Sequence, residues 1–455
     1  MRSIQLCLLF VISIAVQSQQ TISSVQSEIV FRSVNVVPMD QERIIEKQDV
    51  VIRNGVITAI GNTGTVNYSR GAFIIEANGK YLMPGLAEMH AHVPPVNDME
   101  PMKEVLLLFA VNGVTTIRGM LGHPLHLELR KKIQQGEILG PRFITSGPSF
   151  NGNSVSSPEA AAEMVRQQKA AGYDFLKLHP GLTKEKFAAI VKTAREVNIP
   201  FAGHVSFDVG IGRAIDAGYA SIDHMDGFVE SLVPGIENMN EQQTGLFGIY
   251  LPDVVDESRI EGLMKNLRDK KIWVVPTQAL AERWFTPEKD AMAFSKEPEM
   301  VYVNKEQLKS WITNKENLTN NPKYRVDQVN RFIKLRRKLI SECNKNGVGL
   351  LLGSDAPQVF NVPGFSIHHE LAYLVRAGLT PYQALRTGTV NTGIFLRQPD
   401  LGTIKKGNVS DLLLLTANPL IDISNTKKIE GVMLGSRWLP KEFIDETLRK
   451  IQSSK

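Results

Sequence analysis

The chain reads as an α/β protein: a (β/α)8, TIM-like barrel with a small β-sandwich built from the N- and C-terminal segments. Three observations predict this. Between residues 84 and 400, short apolar runs alternate with helical stretches, as in successive parallel βα units. Eight such runs can be placed, ending at His92, Arg118, Ser146, Leu178, His204, His224, Pro276 and Ser354. On either flank the pattern changes to brief apolar–polar alternation broken by turn residues, the signature of antiparallel strands.

Taken in order, Met1-Arg2 followed by an apolar stretch from Ile4 to Val16 and then small polar residues predicts a cleaved signal peptide over 1–19. The mature protein is therefore expected to be secreted or periplasmic. No later segment has the ~18 consecutive apolar residues of a spanning helix, so no membrane association is expected of the mature form. Residues 20–83 form the first part of the sandwich, with Asn54-Gly55 as a two-residue hairpin turn. Residues 84–400 form the barrel. Its helices are expected at Glu104–Asn112, Pro158–Ala171, Lys184–Asn198, Val209–Ala217, Glu257–Asp269 and Val326–Asn346. The stretch from 224 to 355 is too long for two βα units, so an insertion is expected within about 229–345. Residues 401–455 complete the sandwich.

Composition narrows the class. With 43% hydrophobic and 22% charged residues, collagen, coiled coil and wholesale disorder are excluded. A net charge of +5 with no Lys/Arg-rich block argues against a nucleic-acid partner. Of the two cysteines, Cys7 lies in the signal segment, which leaves Cys343 without a disulfide partner and makes a cysteine-based metal site improbable. Nothing in the sequence sets the oligomeric state.

In a (β/α)8 barrel, chemistry sits at the C-terminal ends of the strands. His90 and His92 are one pleat apart, so both imidazoles face the same side and can grip one metal ion. His204 and His224 each end a strand-like run, and Asp355 follows the last one. Neutral imidazole suits Zn²⁺. Asp355 can bind metal and take a proton, or alternatively cap the next helix. Lys177 lies within the run Phe175 to Leu178, where burial disfavours an ammonium unless something uses it. A Schiff base, a phosphate contact and a carbamate formed with CO2 are the competing uses, and the carbamate is the most economical beside four histidines and an aspartate. His123, His179, Arg118 and Arg213 lie near strand ends, and we expect them to contact substrate, the arginines as carboxylate receivers. Phe228, Phe247, Tyr250, Trp284 and Phe285 are candidate walls of an apolar pocket.

The motifs Pro84-Gly85…His90-Ala91-His92, Gly113 to Arg118, Ile222-Asp223-His224 and Gly353-Ser354-Asp355 resemble the amidohydrolase superfamily, in the branch related to imidazolonepropionase and zinc-dependent prolidase-type carboxypeptidases. The likeness runs on through Leu401 to Gly407 and Asp411 to Leu415. It implies a binuclear centre. His90 and His92 would bind the more buried metal, a carboxylated Lys177 would bridge, His204 and His224 would bind the second metal, and Asp355 would bind the first and shuttle protons. The implied reaction is hydrolysis of an amide in a small molecule, a dipeptide or an N-acyl amino acid, by a metal-bridging hydroxide. Two alternatives stand beside it: a mononuclear hydrolase of a cyclic C–N bond with Lys177 as a free amine, and a non-catalytic secreted binding protein.

Overall fold

The computed structural model describes residues 27–455. The expected signal segment lies outside the described residues. Among the described residues no helix is long and apolar enough to cross a membrane.

The chain opens with β1 (Glu28–Val36), β2 (Ile45–Arg53), β3 (Val56–Asn62), β4 (Phe73–Glu76) and β5 (Tyr81–Pro84). Asn54 and Gly55 make the two-residue turn between β2 and β3, with φ of 49° and 78°. Two positive φ values in succession match the twist of the flanking strands, which explains an Asn-Gly pair here.

Next come seven parallel strands in two sheets. β6 (Leu86–Ala91), β7 (Val114–Gly119) and β8 (Arg142–Thr145) form one. β9 (Leu176–Leu178), β10 (Phe201–Gly203), β11 (Ser221–Asp223) and β12 (Trp273–Val275) form the other. Two isolated parallel bridges, Ser146 to Phe175 and Phe150 to Leu178, join the end of β8 and the residues after it to the second sheet. At the other seam lies the segment 350–356. Leu350 bridges Val274, the Met89 amide donates to Leu352 O (2.8 Å), and Ala91 bridges Ala356.

The eighth expected strand is thus present as a pairing segment but not as a regular strand. The reason is local. Gly353 packs so tightly that a Cβ there would lie 2.5 Å from Val275 Cγ1 and 3.0 Å from the His90 nitrogen, and Asp355 turns away with φ of 64°.

Helices alternate with these strands much as expected. Pro158–Ala171 agrees at both ends because Ser157 caps its N-terminus and Gly172 ends it at φ 87°. Helices Ile260–Asp269 and Val326–Lys345 each lead into the next strand of the alternation. The added material therefore reduces to 228–259 and 278–325. The second of these carries its own apolar cluster around Phe294, Met300 and Trp311.

The chain ends with β13 (Leu412–Leu415), β14 (Ile429–Leu434), β15 (Arg437–Pro440) and a helix over Lys441–Ser453 that the sequence reading did not anticipate. β13 pairs antiparallel with β5, so both termini share one eight-stranded sheet of order β15-β14-β13-β5-β1-β2-β3, with β4 beside β1. In a flat sheet, strands ~4.8 Å apart would put β1 and β15 about 19 Å from each other. Yet the Phe31 and Trp438 rings meet edge to face at 5.2 Å. The sheet therefore curls over a core of its own, which includes Ile29, Phe31, Val50, Leu82 and Leu414. Phe31→Ala should empty the centre of that core and cost about 3–5 kcal/mol. A lowered unfolding midpoint with unchanged metal content is the expected result; an unmoved midpoint would show that the two ends do not share a core.

Candidate metal centre

The C-terminal ends of the parallel strands gather the ionisable residues. His90 and His92 flank the end of β6, and the period-2 alternation sends both rings inward. Their Nε2 atoms lie 3.5 and 2.6 Å from Asp355 Oδ1. Lys177 Nζ, from the middle of β9, is 3.4 Å from His90 Nε2. The His224 ring lies 4.4 Å from that of His90 and 4.3 Å from that of His204, centroid to centroid. His224 Nδ1 is 3.7 Å from Asp355 Oδ2. All six residues singled out in the sequence as metal ligands thus converge on one place.

Partners fix most of them. Asp226 Oδ2 holds His204 Nδ1 at 2.6 Å, and Thr277 Oγ1 meets His224 Nδ1 at 2.9 Å. Fixing one ring nitrogen sets the orientation of the other, as in metal-binding histidines generally. Glu88 ties β6 to the 350–356 segment by accepting from the backbone amides of His90 (3.1 Å) and Ser354 (2.8 Å), and burial pushes its carboxyl up to about 8. Arg336 reaches in from Val326–Lys345 and donates to His224 O and Pro276 O, both at 2.8 Å. His224, Thr277 and Asp355 all have positive φ (61°, 45° and 64°), so the backbone is strained where the ligands sit.

The residues fit divalent cations. The Nε2 atoms of His90 and His92 both approach Asp355 Oδ1, and these three residues form a compact potential ligand set. His224 Nε2 and His92 Nδ1 are buried without any hydrogen-bond partner, and His90 Nδ1, although 3.0 Å from Asp223 Oδ2, makes no aligned bond to it. An unsatisfied buried nitrogen is costly, and at His224 Nε2, which has no partner among the described residues, a cation is what the lone pair lacks. Burial drives His90 and His224 well below the usual imidazole range, which keeps them neutral as ligation requires. Lys177 is fully buried, and desolvation pushes its ammonium down to about 8. A neutral amine, the form that reacts with CO2, is thereby within reach at ordinary pH.

The substrate-contact expectations divide. Arg118 needs correction. It is only 2% exposed, and it donates from Nε to Met89 O (2.7 Å) and from Nη2 to Ser221 Oγ (3.0 Å) and Asp223 Oδ1 (3.2 Å). Its guanidinium is buried in the interior and does not line the cleft. Arg213 is exposed, lines the main cleft and donates to Val209 O (3.1 Å). His179 stacks on His204 at 5.0 Å, and burial keeps it neutral. His123 accepts from the Leu125 amide at 3.3 Å, beside the neighbouring His126 ring rather than among the ligands. Among the aromatic candidates, Phe247 lines the cleft, whereas Phe228 and Phe285 are fully buried core residues. His368 and His369 lie in the first turns of the helix Phe365–Arg376, away from the ligand candidates. His368 sits between Thr426 Oγ1 and Asn112 O, and His369 meets Glu299 Oε1 at 2.7 Å. Sequence reading missed Asp223, Asp226, Thr277 and Glu88. The acids bracketing His224 in Asp223-His224-Met225-Asp226 were the available signal.

A cleft of about 1050 Å³ opens beside His204 and Asp226. Its far wall comes from the added segment after β11. Phe247 lies between the cleft and the histidines, nearly parallel to His204 (6.4 Å, 11°) and His224 (5.4 Å, 23°).

These features define a parallel-strand α/β protein that presents a set of candidate metal ligands at its strand ends. The chain belongs to the amidohydrolase family, whose model matches residues 81–439. A curated relative, a dihydroorotase of Halalkalibacterium halodurans, is 36% identical over 83 residues, which is 18% of either chain. The similarity thus spans under a fifth of that relative's length. Among solved structures, a Xaa-Pro dipeptidase with bound methionine superposes with a TM-score of 0.66 at 19% identity, covering 91% of this chain and 100% of the other. A bottromycin amidohydrolase gives a TM-score of 0.70 at 21% identity, covering 93% and 90%. At these identities the likeness is one of fold.

Replacing Asp226 by Asn should release the His204 ring. Metal affinity should fall by about 10–100-fold, measured by chelator competition. An unchanged affinity would mean that His204 needs no such anchor.

Proposed function

We propose that the protein is a metal-dependent hydrolase of amide bonds in small molecules, dipeptides or N-acyl amino acids, with two divalent cations, zinc in our reading. One observation carries this above the others: four imidazoles, a carboxylate and a buried lysine meet at the strand ends, with His224 Nε2 buried and unpartnered among the described residues. The two parallel sheets and the 350–356 segment are read as one (β/α)8 barrel over 84–400. The curled terminal sheet is read as a sandwich shared by 20–83 and 401–455, and residues 1–19 as a secretory signal.

In this reading His90, His92 and Asp355 would hold one cation and His204 and His224 the other, with Lys177, as its CO2 carbamate, supplying oxygens to both. The cations would supply Lewis acidity toward the substrate carbonyl and lower the pKa of the attacking water. Asp355 accepts the proton of that water and delivers it to the nitrogen as the C–N bond breaks, leaving a carboxylate and an amine. Arg213, at the cleft, is placed to receive a substrate carboxylate. A cyclic C–N substrate is the second reading, and the 83-residue likeness to a dihydroorotase is the observation on its side.

Elemental analysis of the mature protein should find close to two metals per chain, and chelation should abolish hydrolysis across a dipeptide panel. Asp355→Asn should fold normally yet lose several orders of magnitude in kcat, since the departing nitrogen needs its proton. One metal at saturation, or near-wild-type turnover by that variant, defeats the binuclear scheme.

Lys177→Ala should lose one metal and most activity, with partial recovery in formate, which supplies the missing oxygens. Full metal content in Lys177→Ala would remove the bridge from the scheme.

A further inference from the structure

The cleft is larger than a short dipeptide needs. At about 1050 Å³ it stands at the upper end of the range for sites that enclose drug-sized ligands. It begins at His204 and Asp226, beside the candidate ligands, and reaches Leu263 and Asn266 on the helix Ile260–Asp269.

Its lining is sorted by depth. Val205, Ile211, Phe247 and Leu263 form an apolar floor, each only 7–8% exposed. Met239 continues that floor on the added segment after β11, and Leu246 beside it leaves 42% of its surface in solvent. The charged residues Lys184, Arg213, Glu237, Glu241 and Arg259 are all exposed and make up the rim. Two acids interrupt the floor. Asp226 is occupied by His204, and burial pushes the Glu230 carboxyl up to about 8, toward its neutral form. A long groove with an apolar floor and a charged rim suits a ligand with an apolar chain and polar ends.

Two glycines say that the width is kept open. Gly262 is the third residue of the helix Ile260–Asp269, and Gly212 is the second residue of the helix Ile211–Ala217. Both line the cleft, and a Cβ built on either would meet nothing within 4 Å. Neither has a positive φ. Backbone conformation and close packing, the two usual reasons for glycine, are therefore both absent, while glycine in a helix costs stability relative to alanine. What the two positions do provide is free space in the cleft.

We propose, on the hydrolase reading above, that the cleft holds the acyl chain of the substrate, so that the enzyme prefers N-acyl amino acids with long unbranched chains and releases a fatty acid and an amino acid. Of the substrates in that reading, these alone bring an apolar chain long enough to follow the floor from His204 to Leu263.

The test uses the full mature holoenzyme and a series of N-acyl glycines: acetyl, hexanoyl and decanoyl. Wild-type kcat/KM should rise by at least about 100-fold from acetyl to decanoyl, since burial supplies up to about fourfold per methylene. Gly262→Trp and Gly212→Trp put a large ring into the free space. In each variant the decanoyl-to-acetyl ratio of kcat/KM should fall by about tenfold or more. A flat wild-type series overturns the proposal. So does an unchanged ratio in both variants, and so does faster cleavage of alanine peptides of matching length than of the decanoyl substrate. Should one tryptophan variant fail to fold, as judged by its melting curve, the other decides; should both fail, the wild-type series decides alone.

Calorimetric binding of the same acyl glycines to Asp355→Asn separates the two levels of inference. Binding that strengthens with chain length, without turnover of any substrate by wild type, would sink the hydrolase reading and keep the chain cleft. Turnover with no dependence on chain length would do the reverse.

Discussion

A single buried carboxylate, Asp223, supports the electrostatics beneath the site. It is fully buried and accepts from Arg118 Nη2 (3.2 Å) and Ser221 Oγ (2.8 Å). It also lies 3.0 Å from His90 Nδ1 and 3.8 Å from Lys177 Nζ. Buried alone, Arg118 or Lys177 would each be a heavy desolvation burden; paired with one acid they become tolerable. Because Arg118 also donates to Met89 O, β6, β7, β9 and β11 are tied together through side chains across the interior. Asp223 thus gathers the polar groups of the floor, while His224 Nε2 above it is buried without a hydrogen-bond partner among the described residues. This contrast marks a place built to hold something other than protein.

The backbone above that floor is held under strain. Left-handed φ values at His224, Thr277 and Asp355 each cost of order 1 kcal/mol or more, and such conformations persist only where the surroundings over-determine them. Three braces do so. Glu88 locks β6 to the 350–356 segment, Gly353 permits the close approach of that segment to His90, and Arg336 clamps the ends of β11 and β12. The last brace comes from the helix Val326–Lys345 that follows the added segment 278–325, so the added material and the ligand geometry are mechanically continuous.

Much of this was legible in the sequence, and the part that was not has a physical reason. Short apolar runs ending in histidine marked the strands because strand-end ligands must follow buried β-residues, and Asn54-Gly55 marked its hairpin by backbone chemistry alone. The helix Pro158–Ala171 announced both of its ends through Ser157 and Gly172. Arg118 was misread because its acceptor, Asp223, is 105 residues away, and position near a strand end does not say whether a side chain points to the mouth or the floor. Arg336 was invisible for the same reason, since its link to His224 spans 112 residues. The helix Lys441–Ser453 went unread although its apolar positions recur at helical spacing, because attention to alternating strands at the C-terminus masked the change of period.

The direction of approach to the site follows from which residues the cleft touches. It is lined by His204 and Asp226 but not by His90, His92, Lys177 or Asp355. A molecule in the cleft therefore meets the β10–β11 side of the site. Phe247, lying nearly parallel to both His204 and His224, narrows that entrance and keeps a low-dielectric face against the imidazoles. Low dielectric strengthens every charge interaction inside, and it equally penalises a charged group that enters without a partner.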